Sequence, residues 1–178
     1  RAAAGCSWDK LVSFTIMSGL YGLENLSGIP GRVGAAPIQN IGAYGAQLAD
    51  TLIELTVFDG LTQRYETLDI SELGLGYRTS RFKKSSETHL IIVDVLLKLS
   101  EQFVPNIAYQ GVAQSITVDP ASGSNVTASK VRSAVLKLRA NKLPNPDKAG
   151  NVGSFFQNPL VTDADARRLS KLGLQMWE

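Results

Sequence analysis

The 178-residue chain has one cysteine, Cys6, and one histidine, His89. A lone cysteine excludes an intrachain disulfide. A lone histidine leaves a structural zinc site to carboxylates, which are poor zinc ligands by themselves, so no metal centre is expected. The usual Cys–His and Ser–His nucleophile pairs have no sequence basis either. His89 precedes an apolar run and reads as a surface or strand-edge residue. Apolar runs are short: residues 90–99 fall well under a bilayer span, and Asp94 and Lys98 interrupt them. No signal peptide precedes the first helical pattern. Charge of one sign is also scarce. Eighteen basic against sixteen acidic residues leave +2, which gives no ground for a nucleic-acid or membrane partner. These absences point to the cytoplasm.

The remaining composition is that of a globular protein, 44% hydrophobic and 19% charged, long enough for one full core or two small domains. Ser7 is placed to cap a helix whose apolar residues Trp8, Leu11, Val12 and Ile16 follow helical spacing up to Gly19. TLIELTVFDG and LTQRYETL alternate apolar and polar residues about Asp59-Gly60, a hairpin pattern. Ile70 to Leu75 suggests a helical turn, and HLIIVDVLLKLS a strand. Residues 105–126 read as loop. Thr127 can cap a helix whose face is Val131, Ala134, Val135 and Leu138, with Lys137, Arg139 and Lys142 near its negative dipole end. Thr162 caps a last helix from Asp163 to Leu172. Strands and helices are interleaved without strict βαβ order, which predicts an α+β fold. The prolines at 144 and 146 mark the best domain boundary.

Three stretches stand out. In GIPGRVGAAPIQNIGAYG, residues 28–45, five of eighteen residues are glycine. Glycines three apart permit positive φ and close backbone approach, and successive free N–H groups would suit a pyrophosphate. The spacing is neither G-x-G-x-x-G nor a Walker loop, so a ligand loop and a tight irregular loop packed on a sheet both remain open. In GYRTS, Arg78 beside small hydroxyls can hold a carboxylate or stabilise an enolate, because a guanidinium keeps its charge. A solvated turn explains the same residues. In GNVGSFFQNP, Ser154 has no histidine partner. A hydroxyl both donates and accepts, so it can relay a proton to a carbanion or simply cap a turn.

GLENLSGIPGRVGAAPIQNIGAYG, GYRTSRFK, KLPNP and GSFFQNP, in this order, resemble the UDP-N-acetylenolpyruvoylglucosamine reductase family, also called UDP-N-acetylmuramate dehydrogenase or MurB. The resemblance runs over essentially the whole chain. It implies FAD as cofactor and NADPH as hydride donor, with UDP-N-acetylglucosamine enolpyruvate reduced to UDP-N-acetylmuramate for bacterial peptidoglycan. It further implies a cytoplasmic enzyme, monomeric when full length. Hydride addition at C3 of the enolpyruvyl group leaves negative charge on C2 and its carboxylate, so a fixed cation and a proton donor are required.

By this resemblance Arg78 matches the enolate-stabilising arginine and Ser154 the proton donor. Tyr77, Tyr109, Lys142 and Asn158 match the substrate side. Ile29, Pro30, Gly31, Gly34, Ala35, Ile38, Asn40 and Gly45 match the flavin side, with Ile29 and Ile38 as apolar walls for the isoalloxazine. The implied fold is the second FAD-binding subdomain of the vanillyl-alcohol-oxidase/PCMH-like type over residues 1–143. The beginning of an α+β substrate-binding domain follows over 144–178.

The family's N-terminal Gly-Ser-Asn loop and C-terminal glutamate motif have no match here. The chain therefore reads as an internal part of the enzyme, expected by itself to bind FAD weakly and to turn over slowly or not at all. The alternative is a non-catalytic remnant that binds flavin or UDP-sugar. A different flavin oxidase of the same fold leaves KLPNP and GSFFQNP unexplained.

Overall fold

The computed structural model describes residues 1–116, 125–144, 148–150, 156–174 and 176. Its centre is a four-stranded antiparallel sheet made of Ala2–Ala3 (β1), Leu52–Asp59 (β4), Arg64–Asp69 (β5) and Leu90–Leu97 (β6), in the order β1-β6-β4-β5. β4 and β5 form the expected hairpin. Its loop runs from residue 60 to 63, and the left-handed residue is Gln63 (φ 57°), not Gly60. Asp59 organises this turn by accepting from the N–H of Leu61 and the hydroxyl of Thr62. On β4, Leu52 and Leu55 are both buried although three positions separate them. A register shift against β6 between Leu52 and Glu54 accounts for this, because an added residue flips the side chains beyond it.

Helix α1, Trp8–Met17, packs Trp8 and Val12 onto the inner sheet face with Leu23, Leu26, Val33, Leu48, Leu55, Val57 and Val95. Full burial of each large apolar side chain is worth roughly 1.5–3 kcal/mol. The indole N–H of Trp8 donates to the Leu26 carbonyl at 2.9 Å, so the buried polar atom is satisfied. Ser7 occupies the N-cap position, but its side chain makes no capping bond. The glycine segment crosses the helix start instead, and the Trp8 N–H donates to the Gly31 carbonyl at 3.1 Å.

A two-residue hairpin, Gly42–Ala43 (β2) and Ala46–Gln47 (β3), turns through Tyr44 (φ 51°) and Gly45 (φ 78°). Successive positive φ values match the right-handed strand twist, and glycine takes the second without strain. The stretch 105–126, expected as loop, contains one helical turn, Val112–Ser115 (α2), with Val112 fully buried. Helix α3, Ala128–Lys142, is capped by Thr127 and buries Val131, Ala134 and Val135, as its spacing predicts. Val131 and Val135 close a second cluster with Tyr44 and Val112. Arg132 forms a bidentate pair with Asp9 at 2.6 and 2.8 Å, tying α3 to α1. Helix α4, Asp163–Ser170, begins at Thr162 as expected and has no buried residue. Pro146, Ser154 and Trp177 lie outside the described residues. The architecture is α+β.

Candidate functional site

The 76–80 stretch is a turn closed by two backbone bonds between Gly76 and Thr79, at 3.2 and 3.3 Å. Arg78 inside it has φ 54°. For a side chain other than glycine that region costs roughly 1–2 kcal/mol, so the surroundings must hold it. They do so with three contacts. Its Nη2 donates to the Gly42 carbonyl at 2.7 Å. Its guanidinium carbon lies 5.4 Å from the Tyr77 ring centroid. Lys83 Nζ donates to its carbonyl at 2.6 Å. Ser80 completes the anchorage by donating its hydroxyl to the Ile38 carbonyl at 2.6 Å. Strain held this firmly is typical of a functional position.

Arg78 faces a cleft of about 510 Å³. Ile29, Ile41, Gly42 and Ala43 supply an apolar, backbone-rich wall; Tyr77, Arg78 and Lys83 line it from the turn. Arg139 enters from α3, and Phe156, Gln157 and Asn158 come from the chain beyond it. Gln157 Nε2 donates to the Tyr77 carbonyl at 3.2 Å, which joins that segment to the arginine turn. Three cations and no carboxylate are among the described residues lining the cleft. Such a surface attracts an anionic ligand.

The glycine segment serves the cleft differently from the expected cradle of free N–H groups. The N–H of Gly28 donates to Asp9 Oδ1, and those of Val33, Gly34, Ala35, Ala36, Asn40 and Ile41 donate to carbonyls of the chain itself. Two of these bonds, from Ala36 to Val33 and from Asn40 to Pro37, close 3-10 turns at Val33–Ala35 and Pro37–Gln39. Gly34 is needed for packing: a Cβ there would stand 2.5 Å from that of Ala4. Asn40 is buried at φ 44°. It donates to Gln47 Oε1 and the Gly76 carbonyl and accepts from the Ala49 N–H, so it braces the segment against the arginine turn.

Of the residues assigned from sequence, Ile29, Tyr77, Arg78 and Asn158 line the cleft together. Ile38 and Asn40 support it through the contacts just described. Pro30, Gly31, Gly34, Ala35 and Gly45 lie outside its lining, as do Tyr109 and Lys142. Tyr109 packs edge-on against Tyr44, centroids 5.3 Å apart, beside the second core cluster. Lys142 is exposed at the end of α3. Ser154 is outside the described residues.

The sequence reading missed Gln39, Ile41, Gly42, Ala43, Lys83, Arg139, Phe156 and Gln157 as lining residues. The first four sit in the glycine segment already singled out. Lys83 belongs to the basic GYRTSRFKK run. Arg139 carried only a dipole explanation, because nothing local shows which way an α3 arginine reaches.

Comparison with known proteins concerns the chain as a whole. Residues 1–65 match the family model described as an FAD binding domain. The UDP-N-acetylenolpyruvoylglucosamine reductase of Neisseria meningitidis serogroup C is 44% identical over 161 residues, 90% of this chain and 46% of its own length. That of Cupriavidus pinatubonensis is 45% identical over 161 residues, 90% of this chain and 47% of its own. Over nine-tenths of its length the chain is thus similar to UDP-N-acetylenolpyruvoylglucosamine reductases.

The crystal structure of the MurB reductase from Thermus caldophilus matches over 97% of this chain and 53% of its own, with a TM-score of 0.64 and 28% identity. The chain spans about half the length of the curated relatives it matches. The FAD-domain match ends at residue 65, before the arginine turn. In this chain, then, the cleft is assembled from the matched domain and from three segments that follow it, the arginine turn, α3 and residues 156–158.

Proposed function

We propose that the chain provides the flavin-facing wall and the enolpyruvyl-binding arginine of a UDP-N-acetylenolpyruvoylglucosamine reductase. In this reading FAD would be the cofactor and NADPH the hydride donor for the reduction of UDP-N-acetylglucosamine enolpyruvate to UDP-N-acetylmuramate in the bacterial cytoplasm. The observation that carries the reading is Arg78, held at positive φ by Gly42, Tyr77 and Lys83 inside a cleft free of carboxylates among its described lining.

The residues present fit a flavin. Ile29 and Ile41 offer apolar surface for a ring system, and Gly42 and Ala43 allow it to approach the backbone. FAD bound there supplies hydride transfer, which none of the side chains can perform. Arg78 stabilises the negative charge that grows on the substrate's carboxylate and C2 as C3 is reduced. Its donors are already oriented, so little reorganisation is required in the transition state. Ser154 then gives its proton to C2 and closes the balance; this role rests on the resemblance of GSFF to the family motif. Asn158 orients the substrate from the same segment, with Tyr77 beside it. Tyr109 and Lys142 meet the nucleotide-sugar outside the cleft proper.

The domain reading places the FAD-binding subdomain at residues 1–143 and the start of the substrate domain at 144–178. It is supported by α3 burying its apolar face on the first unit while α4 buries none. Among the described residues no helix is long and apolar enough to cross a membrane.

The test is stopped-flow kinetics on Arg78→Met in the full chain. Reduction by NADPH should keep its rate, and reoxidation by the enolpyruvyl substrate should slow by about 10²–10³-fold, the usual loss of an oxyanion-stabilising donor. Equal rates in both half-reactions would overturn the reading.

A further inference from the structure

Arg139 is the cation of the cleft that no sequence motif singled out. Its approach depends on Gly28. A Cβ at Gly28 would stand 3.1 Å from both Cδ and Nε of Arg139 and 2.8 Å from Leu136 Cδ2, and Gly28 has φ 71°. The arginine stem therefore crosses the glycine where any side chain would stand in its way. The crossing is locked from below. Asp9 accepts the Gly28 N–H at 2.6 Å and both terminal nitrogens of Arg132, two turns earlier on α3.

The two arginines differ in charge balance. Arg132 is neutralised by Asp9, whereas no ion pair joins Arg139 to a carboxylate among the described residues. Among the described residues lining the cleft, the other charged groups are the cations Arg78 and Lys83, and the Asp9 carboxylate, already paired with Arg132, acts on Arg139 only at longer range. Holding three positive charges around one cleft is unfavourable until an anion enters, and a guanidinium fork matches phosphate oxygens.

We propose that Arg139 binds a diphosphate oxygen of the ligand, and that Gly28 is glycine so that Arg139 can reach it. This rests on the reductase reading, in which both the flavin dinucleotide and the nucleotide-sugar carry a diphosphate.

Calorimetry on the full chain with UDP, uridine, FAD and riboflavin separates the cases. Arg139→Met should weaken one of the two diphosphates about tenfold, as for a lost charged hydrogen bond. Uridine and riboflavin should be unaffected. A loss with UDP alone assigns the contact to the nucleotide-sugar, and a loss with FAD alone assigns it to the dinucleotide. Lys137→Met, on the same helix outside the cleft lining, should change neither.

Arg139→Lys keeps stem and charge and should fall between wild type and Met. An equal loss for uridine or riboflavin in Arg139→Met would make the stem's packing the cause and overturn the proposal. Unchanged binding of both diphosphates in Arg139→Met would overturn it too. Wild-type full-length protein that binds neither UDP nor FAD would instead overturn the functional reading beneath it.

Discussion

Lys83 donates its ammonium to the main-chain carbonyl of Arg78 at 2.6 Å, so one cation of the cleft holds the backbone of another. The bond reaches the peptide that is strained at φ 54°. Lys83→Met should leave Arg78 charged but less well placed. We expect reoxidation by the enolpyruvyl substrate to slow by about tenfold or less, since Lys83 is exposed and its bond is partly screened. Reduction by NADPH should be unaltered. A stopped-flow record with equal losses in both half-reactions would count against a positioning role.

Gly42 controls the same arginine from the other side. A Cβ there would lie 3.0 Å from Arg78 Nη1 and 3.2 Å from the Ala46 carbonyl oxygen. The guanidinium can yield, but only by leaving its place. Gly42→Ala should thus reproduce part of the Arg78→Met defect in reoxidation, with the melting temperature lowered by a few degrees at most. A folded variant with normal reoxidation would show that the observed arginine position is not the working one.

Ser154→Ala tests the proposed proton donor. Flavin reduction by NADPH should proceed normally while reoxidation slows by roughly 10²–10⁴-fold, the range for loss of a general acid. Normal rates in both half-reactions would remove Ser154 from the mechanism.

The Asp9 clamp predicts a pH dependence of stability. The Arg132 hydrogen bonds, followed in weight by the Gly28 N–H, hold the Asp9 carboxyl below its ordinary value, against the opposing effect of burial. A depressed folded-state pKa contributes stability that is present above the unfolded value, about 3.9, and is lost as pH falls through the folded one. Asp9→Asn should flatten the acid limb of a denaturation series below about pH 4. The pair is partly exposed, 17% and 35% for the two side chains, so a double-mutant cycle with Arg132→Met should give a coupling of about 1 kcal/mol. An unchanged acid limb in Asp9→Asn would refute the clamp.

Asn40 braces the glycine segment with three hydrogen bonds from a buried left-handed position. Asn40→Ala removes all three and adds conformational strain, for a loss of about 2–4 kcal/mol in chemical denaturation. Asn40→Gly relieves the strain and should lose less. An equal loss in both would show that the left-handed backbone contributes nothing to the cost.

The helices are legible in the sequence because their signals are local. Thr127 and Thr162 sit at the helix starts, and the spacing of Val131, Ala134 and Val135 is enough to name the buried face of α3. The hairpin alternation places β4 and β5 but not the turn between them, because Gly60 attracts a prediction that Gln63 fulfils. β2 and β3 are two residues each, too short for any periodicity. α2 is a single turn and leaves no pattern for the same reason.

The cleft divides in the same way. Composition excluded the Cys–His and Ser–His pairs, with one histidine and one cysteine, and motif order carried the resemblance from which an arginine, a hydroxyl and a flavin are proposed. What the glycines do, and which cations meet, was decided by tertiary structure alone. In the glycine-rich string the N–H groups of Gly28, Val33, Gly34, Ala35, Ala36, Asn40 and Ile41 are spent on Asp9 and on the chain's own carbonyls. Hydrogen-bond satisfaction depends on which segments cross, and that is not a local property. Gly28 and Arg139 lie far apart in sequence, and the space one leaves for the other exists only once α3 has packed against the glycine segment.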